Sequence, residues 1–282
     1  MQEGTFSRTA FGVARRRAAH QLFDDPKVLD DPLALRIVGP KAVADLESDD
    51  SRDSRFSRAL RAFVAARSRF AEDELAAAVQ CGVQQYVVLG AGLDTSAYRA
   101  PVAGSGLRVF EIDHPATQAW KRERLAAGEI TAPANLTLVP VDFERQDLAM
   151  ELKLAGFRDE PAFFSWLGVT PYLTNEAFGG TMRFVASLPK PSGVVFDYAV
   201  DPSSLSVFER VALRALAARV GAAGEPFKLF FVPSELQRQL RAAGFNHLED
   251  LDKDEINARY FQGRADGLRI GGGLGRLISA RR

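Results

Sequence analysis

The sequence Tyr86-Val87-Val88-Leu89-Gly90-Ala91-Gly92-Leu93-Asp94-Thr95 decides the fold, together with the apolar run Leu107–Ile112 that follows it and ends at Asp113. The first stretch predicts a short buried strand that enters a glycine turn, because Gly90 and Gly92 have no Cβ and let the backbone approach a ligand closely. The second predicts a neighbouring strand with an acid at its tip, from which a carboxylate can accept hydrogen bonds from ribose hydroxyls. The pair is typical of a nucleoside pocket and indicates an enzyme that holds an adenosine-containing cofactor.

Short β-branched or aromatic runs alternate with helical segments along the rest of the chain. Runs that are apolar on both faces imply a mostly parallel sheet with helices on both sides. The predicted strands are Gln85–Leu89, Leu107–Ile112, Leu136–Val141, Ala162–Leu167, Val194–Tyr198, Lys228–Val232, and a terminal pair near Gly267–Ile270 and Leu274–Ala280. The predicted helices are Thr5–Phe23, Arg58–Gln80, Pro115–Ala127, Asp147–Ala155, Asn175–Leu188, a stretch after Ala199 that reaches Arg219, and Pro233–Ala243.

The bulk composition argues against several classes of protein. The 36 Lys and Arg residues balance the 36 Asp and Glu residues, which speaks against a nucleic-acid partner because such proteins carry a basic face. No window approaches the ~20 apolar residues of a membrane span. The single Cys81 excludes an intrachain disulfide and suits a reducing compartment. We therefore expect a cytoplasmic protein without a membrane partner.

The three histidines, His20, His114 and His247, lack metal-ligand spacing, so no metal site is expected. His114 is placed to cap the helix that begins at Pro115. The other two are interpreted as surface or partly buried residues.

The glycine turn distinguishes between two nucleotide ligands. The third glycine of the dinucleotide fingerprint is missing, and Asp94 would repel a diphosphate at this turn. A ligand that carries an ammonium and a sulfonium tolerates this acid, which favours S-adenosyl-L-methionine over NAD. An NAD-binding oxidoreductase of similar fold is the alternative.

Further polar side chains are candidates for the same pocket. Glu111 and Asp113 are two residues apart, so they share one face of a strand and can both face the cleft.

Arg67 interrupts an apolar helical stripe, where an unpaired charge is very costly. Its partner is either the carboxylate of the cofactor's methionine arm, which fits a bidentate fork, or a core acid in a structural ion pair. Asp142 and Phe143 either contact the adenine or cap the next helix.

Several motifs span most of the sequence in order. They are Thr9-Ala10, Val13-Ala14, Arg17-Ala18, Asp31-Pro32-Leu33-Ala34, Ala66-Arg67-Ser68-Arg69-Phe70, the glycine turn, Phe110-Glu111-Ile112-Asp113-His114-Pro115, Pro140-Val141-Asp142-Phe143 and Leu167-Gly168-Val169-Thr170-Pro171-Tyr172-Leu173-Thr174. In these motifs the chain resembles the leucine carboxyl methyltransferase family, in particular its actinobacterial S-adenosyl-L-methionine-dependent branch. The resemblance implies a Rossmann-like class I methyltransferase fold of the α/β class, with a mostly parallel seven-stranded sheet, helices on both faces and a helical N-terminal cap.

The resemblance also implies roles for individual residues toward the cofactor S-adenosyl-L-methionine. Arg67 would bind its carboxylate, Gly90 would border its methionine arm, Asp113 would hold its ribose, and Asp142 and Phe143 would border its adenine. Ala91 and Gly92 of the same turn are further expected cofactor-binding residues. The family often has a glutamate just before the glycine that corresponds to Gly168. This chain has Leu167 there, so that contact is lost or moved.

The best-known members of the family methylate carboxylates, which are ionised near pH ~7 and need no general base. We therefore expect an O-methyltransferase for a carboxylate of a small molecule or peptide, with a donor-binding protein without catalysis as a further alternative. Candidates to orient the acceptor are Arg17, Tyr172, Tyr198, Tyr260 and Arg264. The expected organisation is one domain, with a helical cap (1–80), a cofactor-binding core (83–198), a helical cover over the acceptor site (199–227), and C-terminal strands and a helix (228–282).

Overall fold

Helices and strands alternate through the computed structural model, which describes residues 8–100, 102, 104–143, 146–222, 224 and 226–282. Residues 5–7 of the predicted first helix and residues 223 and 225 of the predicted cover lie outside the described residues. The strands are β1 Gln85–Leu89, β2 Arg108–Asp113, β3 Leu136–Pro140, β4 Ala162–Trp166, β5 Gly193–Ala199, β6 His247–Leu251 and β7 Gly275–Arg281. The helices are α1 Arg8–Phe23, α2 Leu33–Val38, α3 Pro40–Glu47, α4 Arg55–Gln80, α5 Pro115–Ala127, α6 Leu148–Leu154, α7 Asn175–Ser187, α8 Val207–Ala222, α9 Pro233–Ala242 and α10 Lys253–Tyr260.

A seven-stranded sheet organises the described part of the chain, in the order β3-β2-β1-β4-β5-β7-β6. Strands β1 to β5 run parallel, and β7 lies antiparallel between β5 and β6. The predicted mostly parallel α/β sheet is confirmed. The order in which successive strands are added to the sheet reverses between β1 and β4. Such a switch point, at the carboxyl ends of the strands, is where open α/β sheets bind ligands.

Helices cover both faces of the sheet, as predicted. On β1, Tyr86 and Val88 belong to the core under α1 to α4, whereas Val87 and Leu89 belong to the core that α7 and α9 cover. All four side chains are buried. Because neither face meets water, the central strands are continuous apolar runs rather than alternating ones. None of the helices in the described ranges combines the length and apolarity that a bilayer crossing demands.

A buried polar network fastens α1 to α4 within the helical cap. His20 is fully buried; its Nδ1 lies 2.8 Å from Asp24 Oδ2, and its Nε2 accepts the N–H groups of Val28 and Leu29. Arg61 donates to both oxygens of Asp24 at 2.8 Å. Burial alone would raise the pKa of Asp24, but hydrogen bonds from His20 and Arg61 lower it. The expectation of a surface or partly buried His20 is wrong, because the ring satisfies backbone groups inside the core.

Two predicted strands are absent from the described structure, because their backbone N–H and C=O groups form hydrogen bonds with partners other than a neighbouring strand. In the segment Lys228–Val232, only Phe231 forms a bridge, to Val200 just beyond β5, and the N–H groups of Lys228 and Leu229 donate to the Pro171 carbonyl. In the segment Gly267–Ile270, the side chain of Asn257 bonds both the N–H and the C=O of Ile270. A side chain therefore takes the place of a strand partner.

Four elements were missed, and local signals existed for some of them. Strand β6 lies at the sheet edge and has a polar sequence, His-Leu-Glu-Asp-Leu. Helix α10 begins with a capping box between Asp252 and Glu255, which is a recognised start signal. Helices α2 and α3 are short and meet at Gly39, whose φ of +82° lets the chain turn between them.

The core beside β2 contains a buried ion pair that changes the interpretation of Glu111. Lys121 Nζ lies 2.6 Å from Glu111 Oε2, and both side chains are 1% exposed. The hydroxyl of Tyr98 donates to the same oxygen at 3.2 Å. Burial raises the pKa of Glu111, although the charge of Lys121 opposes this shift. The prediction that Glu111 faces the ligand cleft is wrong, because α5 covers it with a lysine.

We expect Lys121→Met to lower the free energy of unfolding by about 3–5 kcal/mol, because Glu111 would be left as an unpaired buried charge. The double variant Glu111→Leu/Lys121→Met removes both charges and is expected to recover most of this loss. Urea denaturation of the two variants beside the unmodified protein measures the difference. An equal loss in the single and double variants would contradict the ion-pair interpretation.

Candidate active site

A cavity of about 510 Å³ lies at the carboxyl ends of β1 to β4, under α1 and α4. We call it the first cavity. Its position is the switch point of the sheet, where the loops after β1 and β4 part. Its lining includes Thr9, Ala10, Val13, Arg17, Arg67, Ser68, the turn 90–94, Asp113, His114, Val141, Asp142, Phe143, Leu167, Gly168, Val169 and Tyr172.

The glycine turn after β1 forms the floor of the first cavity. Gly90 has a φ of +65°, and a Cβ there would collide with the side chain of Val169. Gly92 has a φ of +46°, and a Cβ there would lie 3.1 Å from the Cβ of Ala10 on α1. Both positions thus require glycine for conformation and for close approach. The N–H of Ala91 donates to Ile112 O at 3.0 Å, which holds the turn against the end of β2.

Asp113 lies at the tip of β2 beside this turn. Its Oδ2 accepts the N–H of Gly92 at 2.6 Å, and its Oδ1 accepts the N–H of His114 at 2.7 Å. Burial raises the pKa of Asp113, although these backbone bonds oppose the shift. An ionised carboxylate has about four acceptor sites, so each oxygen retains capacity for another donor. The Nδ1 of His114 accepts the N–H of Ala116 at 3.2 Å, so the predicted helix cap is confirmed.

Arg67 and Asp197 form a buried ion pair at the opposite wall. Arg67 Nη1 lies 3.0 Å from Asp197 Oδ2, and both side chains are 8% exposed. The other oxygen, Oδ1, accepts the N–H of Gly168 at 2.5 Å. A Cβ on Gly168 would lie 2.8 Å from Arg67 Nη2, so the guanidinium passes directly over this glycine. The core-acid partner considered for Arg67 is therefore present, and Arg67 also lines the first cavity.

Asp94 supplies negative charge at the edge of the first cavity. Its Oδ1 accepts the N–H of Ser96 at 2.7 Å, and its Oδ2 lies 3.2 Å from Arg17 Nη1. Burial alone would raise the pKa of Asp94, but the charges of Arg17 and Lys121 and the bonds from Ser96 hold it below its ordinary value. Arg17 also donates to Leu93 O at 2.5 Å, so its guanidinium fixes the turn.

A second cavity of about 340 Å³ adjoins the first. The two share the lining residues Thr9, Val13, Arg67, Gly168 and Tyr172. Helix α1 borders both, because Ala10 and Arg17 line only the first cavity while Gly12 and Arg16 line only the second. Asp197 lines the second cavity, so the Arg67–Asp197 pair stands at the shared wall.

The predicted acceptor residues separate into three groups. Tyr172 lies at the shared wall, and its ring centroid is 5.4 Å from that of Phe227. Tyr198 lines the second cavity, but its hydroxyl donates to Asp250 at 3.0 Å. Tyr260 and Arg264 line neither cavity: the Tyr260 hydroxyl donates to Asp73 of α4, and Arg264 pairs with Asp266. The assignment of Tyr260 and Arg264 to the acceptor site is wrong, because both lie outside the two cavities and both are engaged by aspartates there.

Sequence reasoning missed one residue at the centre of the site. Asp197 lies inside the apolar strand β5, between Phe196 and Tyr198. An acid in a fully buried strand needs a charged partner, and Arg67 on the apolar face of α4 needs one too. These two irregularities, considered together, would have predicted the pair.

The first cavity fits S-adenosyl-L-methionine. Its side chains supply a carboxylate at a strand tip for a ribose, a guanidinium for a carboxylate, and Asp94 beside the turn for positive charge. Phe143 and Asp142 offer an aromatic ring and an acceptor at the end of β3. Asp94 does not suit the diphosphate of NAD. Within the described residues, no cluster of three or more His, Cys, Asp or Glu side chains is arranged to hold a metal ion.

Solved structures share this architecture. A protein from Thermobifida fusca described as a "putative methyltransferase" matches with a TM-score of 0.58 and 19% identity, over 100% of this chain and 96% of its own. A DUF574 family protein from Streptomyces avermitilis matches with a TM-score of 0.54 and 16% identity, over 95% of this chain and 96% of its own. At these identities the likeness concerns the fold.

Sequence comparisons identify the family. A model described as "Leucine carboxyl methyltransferase" matches residues 10–186. The Bacillus subtilis (strain 168) protein "Putative S-adenosyl-L-methionine-dependent methyltransferase YktD" is 31% identical over 290 aligned positions, 95% of each chain. A relative of the same description from Parafrankia is 37% identical over 188 residues, which span 65% of this chain and 60% of that protein. Because the family model covers more than half of the sequence, the chain belongs to the leucine carboxyl methyltransferase family.

Proposed function

We propose that this S-adenosyl-L-methionine-dependent methyltransferase transfers the methyl group to a carboxylate oxygen of a small molecule or peptide. The observation that carries the proposal is the arrangement of the first cavity. A carboxylate, Asp113, and a buried guanidinium, Arg67, lie on opposite sides of one glycine turn. Their separation suits a donor whose ribose meets Asp113 and whose methionine carboxylate meets Arg67.

Each side of the first cavity takes one part of the donor in this proposal. Asp113 accepts hydrogen bonds from the ribose, and the turn Gly90, Ala91 and Gly92 borders the methionine arm. Arg67, held by Asp197, binds the donor carboxylate. Asp94 balances the positive charge of the donor, and Asp142 and Phe143 border the adenine.

Arg17 holds the glycine turn in this proposal rather than orienting the acceptor, the role predicted from the sequence. Its guanidinium is engaged by Leu93 O and Asp94, and its Nε lies 3.2 Å from Asp31 Oδ2. It therefore holds the turn and a loop of the cap together. Tyr172, at the wall between the cavities, is the candidate that remains beside the reacting groups.

The chemistry requires alignment more than proton transfer. When bound, the donor supplies a methyl group on a sulfonium, whose C–S bond breaks with its electron pair staying on sulfur as the acceptor oxygen forms the new C–O bond. A carboxylate is already ionised at neutral pH, so no base is needed. Among the described residues that line the two cavities, the only histidine is His114, and its Nδ1 caps α5. The protein's task is to hold the oxygen in line with the methyl group at about 3–3.5 Å.

A transfer assay with methyl-labelled donor tests the proposed acceptor group. Carboxylic acids and the alcohols and phenols of matching carbon skeleton are offered in parallel. Methyl esters release labelled methanol in mild alkali, whereas methyl ethers do not. The expected product is the alkali-labile ester. A stable labelled ether as the main product would move the acceptor from carboxylate to hydroxyl.

We expect Arg67→Lys to weaken binding of S-adenosylhomocysteine by about tenfold to a hundredfold, because a hydrogen bond to a charged group is worth roughly 1.5–3 kcal/mol. Lysine keeps the charge that Asp197 needs but loses the bidentate fork. Calorimetry measures the affinity, and thermal unfolding verifies the fold. Arg69→Lys is the matched control, since that side chain is 48% exposed on the same helix. Unchanged affinity in a folded Arg67→Lys protein would contradict the proposed role.

The raised pKa of Asp113 predicts a pH dependence of donor binding. The ionised carboxylate accepts the ribose hydroxyls, so affinity is full above its pKa and falls as the pH drops through it, by up to about tenfold per pH unit. Because the pKa lies above the ordinary 3.8, the fall begins at a higher pH than that value implies. Asp113→Asn is expected to bind weakly with no such slope. Asp159→Asn, at an exposed position, should retain the slope. A slope that persists in Asp113→Asn would assign it to another group.

A further inference from the structure

The second cavity is lined mainly by apolar and aromatic side chains. They come from several elements: Phe56, Leu60 and Phe63 from α4, Leu213 and Leu216 from α8, and Phe227 from the loop before α9. Its volume, about 340 Å³, lies within the range of sites for small organic molecules. Gly271, Gly272 and Gly275 line it with backbone alone, so no side chain at these positions narrows the cavity.

The cavity follows one stripe of α4 from the protein surface to the shared wall. Phe56, Leu60, Phe63 and Arg67 are spaced at helical intervals along this stripe. Phe56 is 43% exposed and marks the outer end, whereas Arg67 is 7% exposed and marks the inner end. The eleven helical steps from Phe56 to Arg67 span about 16 Å at 1.5 Å per residue. A ligand in this cavity would therefore have one end at the surface and the other beside the first cavity.

The charges of the lining favour an acid with an apolar body. The charged side chains among the described lining residues are Arg16, Arg67 and Asp197, which sum to one net positive charge. A peptide chain would bring amide groups into walls that are largely apolar, and a buried amide without a partner is costly. An apolar skeleton has no such groups, and each buried methylene adds about 0.8 kcal/mol.

We infer that the second cavity is the acceptor site and that the acceptor is a small, elongated apolar carboxylic acid rather than a peptide. Its carboxylate lies at the shared wall, beside Gly168 and Tyr172, and its apolar body extends along α4 toward Phe56. Helix α8 covers the body through Leu213 and Leu216. This inference rests on the proposed carboxylate methylation and names the class of acid.

The test compares acetate, hexanoate, decanoate, a fused-ring aromatic acid and a short peptide with a free carboxyl terminus in the ester-forming assay. We expect kcat/KM to rise about fourfold per added methylene until the cavity is filled, and the peptide to react poorly. Equal rates across the straight-chain acids, or a preference for the peptide, would overturn the inference while leaving carboxylate methylation intact. Donor binding with no ester from any acid would instead overturn the proposed function and this inference with it.

A cavity-filling variant locates the site. Leu216→Trp is expected to lower kcat/KM for decanoate at least about tenfold, from the loss of two or more methylenes' worth of contact, while the affinity for S-adenosylhomocysteine stays unchanged. Val211→Trp is the matched control on the same helix, because Val211 is 61% exposed and lines neither cavity. If Leu216→Trp fails to fold, Ala59→Leu fills the cavity from α4. A folded filling variant that methylates decanoate like its control places the acid elsewhere and overturns the inference.

Discussion

One buried ion pair, between Arg67 of α4 and Asp197 of β5, fixes the geometry of the whole site. The two side chains meet at 3.0 Å, and the second oxygen of Asp197 holds the N–H of Gly168. Three separate pieces of chain, helix α4, strand β5 and the turn after β4, are therefore fixed to one another. Gly168 must lack a side chain because the guanidinium lies directly above it. The same pair also separates the two cavities.

The central fold follows from the sequence because parallel strands covered on both faces must be apolar throughout. β1 has the predicted bounds, and so does α5, where Pro115 stands at the first helical position after the capping His114. The C-terminal part was harder to predict, because its elements depend on tertiary partners. The edge strand β6 is polar, and Ile270 bonds to a side chain rather than to a strand. Apolar periodicity contains neither kind of information.

Site residues could be predicted from the sequence where they stand at the end of a predicted strand, because the strand ends of a parallel sheet line the ligand cleft. Asp113 ends a strand beside the switch point, so it lines the cavity. Glu111 shares its strand face but lies two residues, about 7 Å, further from the tip, where Lys121 covers it. Tyr198 and Tyr260 have hydroxyls engaged by acids that only the folded chain brings near. Asp197 was missed because its partner lies 130 residues away in sequence.

Helix α1 contacts both compartments through adjacent stripes, with Thr9 and Val13 common to the two. A molecule that immobilises this helix from one side changes the cost of ordering it for a molecule on the other. Thermodynamic linkage makes such an effect reciprocal. If bound donor changes the affinity for the acceptor by some factor, bound acceptor changes the affinity for the donor by the same factor. With donor and acceptor in the two cavities as proposed, α1 is a physical route to cooperativity between the two substrates of a single turnover.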